Sequence, residues 1–230
     1  VLHSFPAGAH AVIIGATGGI GAALADRLHA DPGFARVTRL SRATGLDLVD
    51  PTSIAAAAAA LPAPPDLVIC ATGILHADGL APERALKMLS GEAFARAFAV
   101  NATGPALVAQ AFLPLMPKGH KTLFAALSAR VGSIGDNRLG GWHAYRAAKA
   151  ALNQILRTIA IEYARTNPHG VILGLHPGTV DTGLSKPFQR GVATLFTADE
   201  SARHLLAVID SATPAMSGQI YDWKGEAIPA

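Results

Sequence analysis

Tyr145 and Lys149 stand four residues apart in a stretch, 144–165, whose apolar residues recur at helical spacing. That interval places a phenol and an ammonium on one helix face. Tyrosine in water titrates near pH ~10, too high for a ready base. A neighbouring cation stabilises the phenolate and lowers that value. Tuned in this way, Tyr145 can give a proton to a carbonyl oxygen or take one from an alcohol. A second pattern lies far upstream, where Gly15, Gly19 and Gly21 form Gly-x-x-x-Gly-x-Gly. Glycines at a turn before a helix let a backbone approach a pyrophosphate with no side chain between, and the helix N-terminus supplies amide donors. A third is Ser41-Arg42, where an acid would accept from a ribose diol. A guanidinium there pairs with a 2′-phosphate, which favours NADP(H) over NAD(H).

These residues need a scaffold, and the chain supplies an alternating one. Short apolar runs at 11–14, 37–40, 67–71, 122–127, 171–175 and 218–222 read as strands. Between them, 22–28, 54–61, 92–99 resuming over 105–116, 144–165 and a stretch capped by Thr197 with Glu200 read as helices. Strands apolar on both faces that alternate with helices describe a doubly wound parallel α/β sheet of Rossmann type. Ligands of such sheets bind beyond the carboxyl ends of the strands. With no internal repeat and no linker, 1–230 reads as a single domain.

Composition narrows the function classes. Half of the 230 residues are apolar and 15% are charged, which excludes a disordered chain. The net charge of +3 comes from basic residues spread singly, so no nucleic-acid partner is expected. One cysteine, Cys70, excludes a disulfide framework and a multi-cysteine zinc site and fits a reducing compartment. Nine histidines show no ligand spacing, so no metal is expected. No apolar run approaches the ~18 residues of a membrane span, and no secretory signal is visible, so a cytoplasmic protein without a membrane partner is expected.

In order and spacing, the chain resembles the short-chain dehydrogenase/reductase family along its whole length. The features that carry the resemblance are the glycine turn, Asp47, Thr72-Gly73, Asn101 with Gly104, Tyr145-x-x-x-Lys149, and Pro177-Gly178 with Thr182. Residues 132–137 and 144–146 are similar to carbonyl reductases of the C-factor and sniffer type. The resemblance implies a nicotinamide cofactor, a small carbonyl or alcohol substrate, and a homodimer or homotetramer. It makes Tyr145 the proton donor or acceptor, with Lys149 tuning it and holding ribose hydroxyls, and gives Asn101 a water relay. The other reading of Asn101 is an internal hydrogen bond that bends its helix.

The same resemblance puts Gly15, Thr17, Gly19, Ile20 and Gly21 at the pyrophosphate, and Ser41 and Arg42 at the ribose. It puts Asp47 and Leu48 at the adenine, with Ala71, Thr72 and Gly73 along the cofactor. Pro177, Gly178, Val180 and Thr182 then fall at the carboxamide, although Thr182 equally suits a loop cap. Two positions depart from the family. Where two small polar residues usually follow the strand at 122–127, the chain reads Ser128-Ala129, so the substrate-orienting hydroxyl falls to Ser128, to Ser133 or to no serine at all. Ala71 stands where asparagine is common. These losses sustain an alternative, a cofactor-binding sensor or signalling protein with little turnover. His143 and His176, with Trp142, Phe188 and Phe196, are further candidates for the substrate side, and 185–197 for a short lid.

Overall fold

The structure, a computed structural model, describes residues 2–76 and 81–230. Six strands form one parallel sheet: β1 (Ala9–Ile14), β2 (Phe34–Leu40), β3 (Leu67–Cys70), β4 (Thr122–Leu127), β5 (Gly170–His176) and β8 (Gln219–Asp222). Their order is β2-β1-β3-β4-β5-β8, so the chain reverses its direction of travel across the sheet between β1 and β3. That switch opens a crevice at the strands' carboxyl ends.

Period-two alternation sends β1 side chains to two separate cores. Ala11 and Ile13 join Leu24 and Leu28 of α1 (Gly19–His29) and Leu205 and Ile209 of α6 (Ala198–Ser211). Val12 and Ile14 join the opposite layer. There they meet Ile54 of α2 (Pro51–Ala59), Val108 and Phe112 of α4 (Gly104–Phe112), and Leu152 and Leu156 of α5 (His143–Ala164). The Thr197 cap is present in full: Thr197 accepts from the Glu200 amide, and Glu200 accepts from the Thr197 amide at 2.8 Å.

Three features depart from the sequence expectation. A two-residue pair, β6 (Thr179–Val180) with β7 (Leu195–Phe196), lies outside the main sheet and is too short to show periodicity. The helix expected to pause between residues 99 and 105 instead continues: α3 (Gly91–Phe98) passes through a π turn, Ala99–Thr103, into α4. The resulting run Gly91–Leu115 is long and apolar enough to cross a membrane by length and composition alone. Its apolar face, including Val108, Ala109 and Phe112, is buried against the sheet.

Candidate active site

The turn after β1 shows why glycine recurs there. Gly15 has φ +88°, and a Cβ on it would stand 2.8 Å from Thr72 Cγ2 and 2.9 Å from the Ala71 carbonyl oxygen. A Cβ on Gly21 would collide with the carbonyl oxygen of Gly15, so α1 starts hard against the strand. Gly18 caps α1 without a side chain, and the first turn carries no acid. The helix therefore presents amide donors and the positive end of its dipole to whatever lies beyond.

Beyond it lies a cleft of about 530 Å³, lined by Gly15, Thr17, Gly18, Ser41, Arg42, Asp47, Leu48, Ala71, Thr72 and Gly73, among others. Arg42 and Arg96 both line it, are exposed, and make no ion pair among the described residues. Asp47 is fixed by Ser53, whose hydroxyl accepts from the Asp47 amide and donates to its carbonyl. Leu48 presses on Gly104, where a Cβ would come within 2.9 Å of it.

Around the glycine turn the crevice continues into a second cleft, of about 430 Å³. Here Gly19, Ile20, Ser128, Tyr145, Lys149, Pro177 and Thr182 meet, so residues from segments far apart in the chain converge. Ala71, Thr72 and Gly73 line both clefts and join them. The Thr72 hydroxyl lies 3.2 Å from the Cys70 thiol, so its polarity is directed partly back into the strand.

Lys149 is buried, and its ammonium donates to the Leu127 carbonyl at 2.7 Å. It lies 5.7 Å from the centre of the Tyr145 ring. The electrostatics reverse the expectation for this pair. Burial pushes the Tyr145 phenol up to about 12 rather than down. Burial likewise pushes Lys149 down to about 8. The ammonium stands over the ring and is bonded to a carbonyl, so desolvation of the phenolate dominates.

The two candidate serines differ in placement. Ser128 lines the cleft with Tyr145, and its hydroxyl donates to Asn153 Oδ1 at 2.6 Å. Ser133 is buried outside that cleft, accepting from the Asp136 amide near the chain's last residue. Asn101 is fully buried in the π turn and clamps Ile74, donating to its carbonyl at 2.9 Å and accepting from its amide at 3.0 Å. Gly73, which lines both clefts, lies against it. A Cβ there would stand 3.1 Å from Asn101 Oδ1 and 3.6 Å from Lys149 Nζ.

Some expected residues serve from behind rather than lining either cleft. Gly21 faces Gly15, Asn101 faces Ile74, Gly178 packs on Phe196 and Trp223, and Val180 is buried in β6. Phe196 makes edge-on contacts with Trp223 and His204 and lines neither cleft. His143 and His176 line neither cleft; burial and the Arg130 charge push His176 down to about 4. Trp142 and Phe188 do approach the site, with ring centres 5.1 Å apart and Trp142 6.4 Å from Tyr145. Arg96, Leu127, Gly183 and Leu184 line the clefts without having been expected. A lone arginine on a helix and single loop residues carry no spacing signal that could have marked them.

The family model described as enoyl-(acyl carrier protein) reductase matches residues 34–207. The C-signal protein of Myxococcus xanthus is 40% identical over 136 residues, 59% of this chain and 77% of that protein. A 1-hydroxy-2-glutathionyl-2-methyl-3-butene dehydrogenase of Rhodococcus sp. strain AD45 is 30% identical over 181 residues, 79% of this chain and 76% of that enzyme. Among solved structures, NADPH-bound carbonyl reductase from chicken fatty liver superposes with a TM-score of 0.82 at 23% identity. That match covers 99% of this chain and 96% of the other. The carbonyl reductase Sniffer of D. melanogaster gives 0.80 at 17%, covering 97% and 100%. These two superpositions share the parallel sheet and its flanking helices, while the family model and the bacterial relatives share sequence as well, and on that sequence the chain belongs to the short-chain dehydrogenase/reductase family.

Proposed function

We propose that this oxidoreductase is an NADP(H)-dependent reductase of a ketone or aldehyde, with Tyr145 as proton donor. The observation that carries the reading is the convergence of Tyr145, Lys149 and Ser128 in one cleft that continues past the glycine turn. The residues fit a dinucleotide. The uncapped, acid-free start of α1 suits a pyrophosphate, and Arg42, aided by Arg96, suits a 2′-phosphate. Asp47 and Leu48 would border the adenine, and Pro177 and Thr182 the carboxamide end. When bound, the nicotinamide carries the hydride exchanged with substrate carbon.

The chain's own groups manage the oxygen. A phenol held near 12 remains protonated at neutral pH, yet it is still a much stronger acid than the alcohol it helps to form. Tyr145 therefore acts as an acid toward a developing alkoxide in the reductive direction. Ser128 positions the same oxygen, and Lys149, charged below about pH 8, lends positive charge beside it. Asn101 holds the Ile74 backbone and, across Gly73, the path from Lys149 toward solvent. The full 1–230 unit is proposed to act as a homodimer or homotetramer, and buried, unpaired Cys70 supports the reducing cytoplasm.

NADPH oxidation measured against a panel of small ketones and aldehydes tests the proposal. Turnover with at least one member, faster with NADPH than with NADH, is the expected result. Tight NADPH binding without oxidation across the panel would instead favour the sensor.

A further inference from the structure

Helix α5 carries both Tyr145 and Lys149, yet it begins without local help. Its N-cap residue, Trp142, makes no side-chain cap, and no acid stands in the first turn. Trp142 also has φ +52°, the only left-handed non-glycine residue among those described, directly after Gly140 and Gly141 at φ +63° and +66°. A bulky side chain resists that conformation, so something outside the turn must hold it.

Glu83, sixty residues upstream, does so with both its backbone and its side chain. Its carbonyl accepts from the Trp142 amide, and its carboxylate Oε2 accepts from the Ala144 amide at 3.3 Å. The residue is only 3% exposed, and the second carboxylate oxygen, Oε1, is buried without a partner among the described residues. A buried carboxylate costs free energy unless it returns something. What it holds is the first turn of the helix, one residue before Tyr145, and the Trp142 ring that lies between Tyr145 and Phe188. Phe188 in turn meets His76, whose ring bonds the Gly183 carbonyl, so the turn is tied into the loops around the cleft.

We propose that Glu83 is a positioning residue: from a separate loop it caps the helix of the catalytic tyrosine, fixing Tyr145 and setting Trp142 beside it. The role rests on Tyr145 being the proton donor, but its test need not. Glu83→Ala removes the carboxylate; Glu83→Gln keeps an acceptor for the Ala144 amide. The first readout is the Tyr145 ionisation curve, taken as the ultraviolet difference between each protein and its Tyr145→Phe counterpart without cofactor. Glu83→Ala should lower the midpoint from about 12 toward the ordinary tyrosine value, as the loosened turn admits water, whereas Glu83→Gln should leave it in place.

The second readout is turnover: Glu83→Ala should lower kcat about tenfold or more through misplacement of the phenol. NADPH affinity should remain within about twofold, because Glu83 lines neither cleft, and Glu83→Gln should recover most of kcat. An unmoved midpoint in folded Glu83→Ala overturns the proposal, as does equal damage in both variants that tracks only the folded fraction. If the unaltered protein reduces no carbonyl, the reductase reading falls, and the ionisation curves still decide the role of Glu83.

Discussion

A phenol four residues before an amine predicts proximity, but it does not predict which group controls the other. Tyr145 and Lys149 do share one face, and both lose solvent there, so burial raises the acid to about 12 and lowers the base to about 8. Activity should therefore be flat through neutral pH and fall above about pH 8 as Lys149 loses its charge, checked by kcat/KM against pH. His176 gives a separate prediction for stability. Its folded pKa of about 4 lies below its ordinary value, so the unfolded chain binds more protons in acid. Stability should fall as pH drops through the window from about 6.5 to about 4, with Arg130 adding to this and Asp222 opposing it. His176→Asn should flatten that slope in thermal unfolding measured across the window; an unchanged slope contradicts the assignment. Ser128 is the third residue-scale case. The sequence leaves Ser128 and Ser133 as alternatives, and only the fold puts Ser128, and not Ser133, in the cleft that Tyr145 lines.

At the scale of elements, the glycine turn is the rigid joint between β1 and α1. Gly21→Ala would force a Cβ into the Gly15 carbonyl, with a cost of about 1–3 kcal/mol for overpacking. A lowered Tm together with weakened NADPH binding is expected, and an unperturbed Tm would refute so tight a joint. This joint was legible in the sequence because its demand is local: a strand, glycines and a helix in immediate succession. The same holds for the Thr197 cap and for the alternating strands, whose side chains divide between two cores as period two requires. Elements specified by distant partners were less legible, although a helix bent by an internal Asn101 hydrogen bond was one of the two readings. The π turn at Ala99–Thr103 accommodates Asn101 as it reaches for Ile74, a residue on another segment. The β6–β7 pair contains only two residues per strand, and Arg96 reaches the cofactor-sized cleft solely because α3 packs where it does.

For the molecule as a whole, the sheet's reversal between β1 and β3 gathers the two clefts at the strands' carboxyl ends, so the proposed cofactor lies across those ends. A ligand that binds only the folded state stabilises it by mass action, by about 2.7 kcal/mol at one hundred times Kd. NADPH should thus raise Tm in proportion to its logarithmic concentration. Arg42→Ala should weaken NADPH about tenfold or more, the loss of a charge-assisted contact, and leave NADH unchanged. Equal loss for both nucleotides would mean that Arg42 meets no 2′-phosphate. The proton-donor assignment has the most direct test: single-turnover NADPH oxidation by the unaltered protein and by Tyr145→Phe, on a carbonyl the former reduces. The account predicts a loss of about a hundredfold or more in rate with unchanged NADPH affinity, and a Tyr145→Phe protein that turns over at the full rate would contradict it.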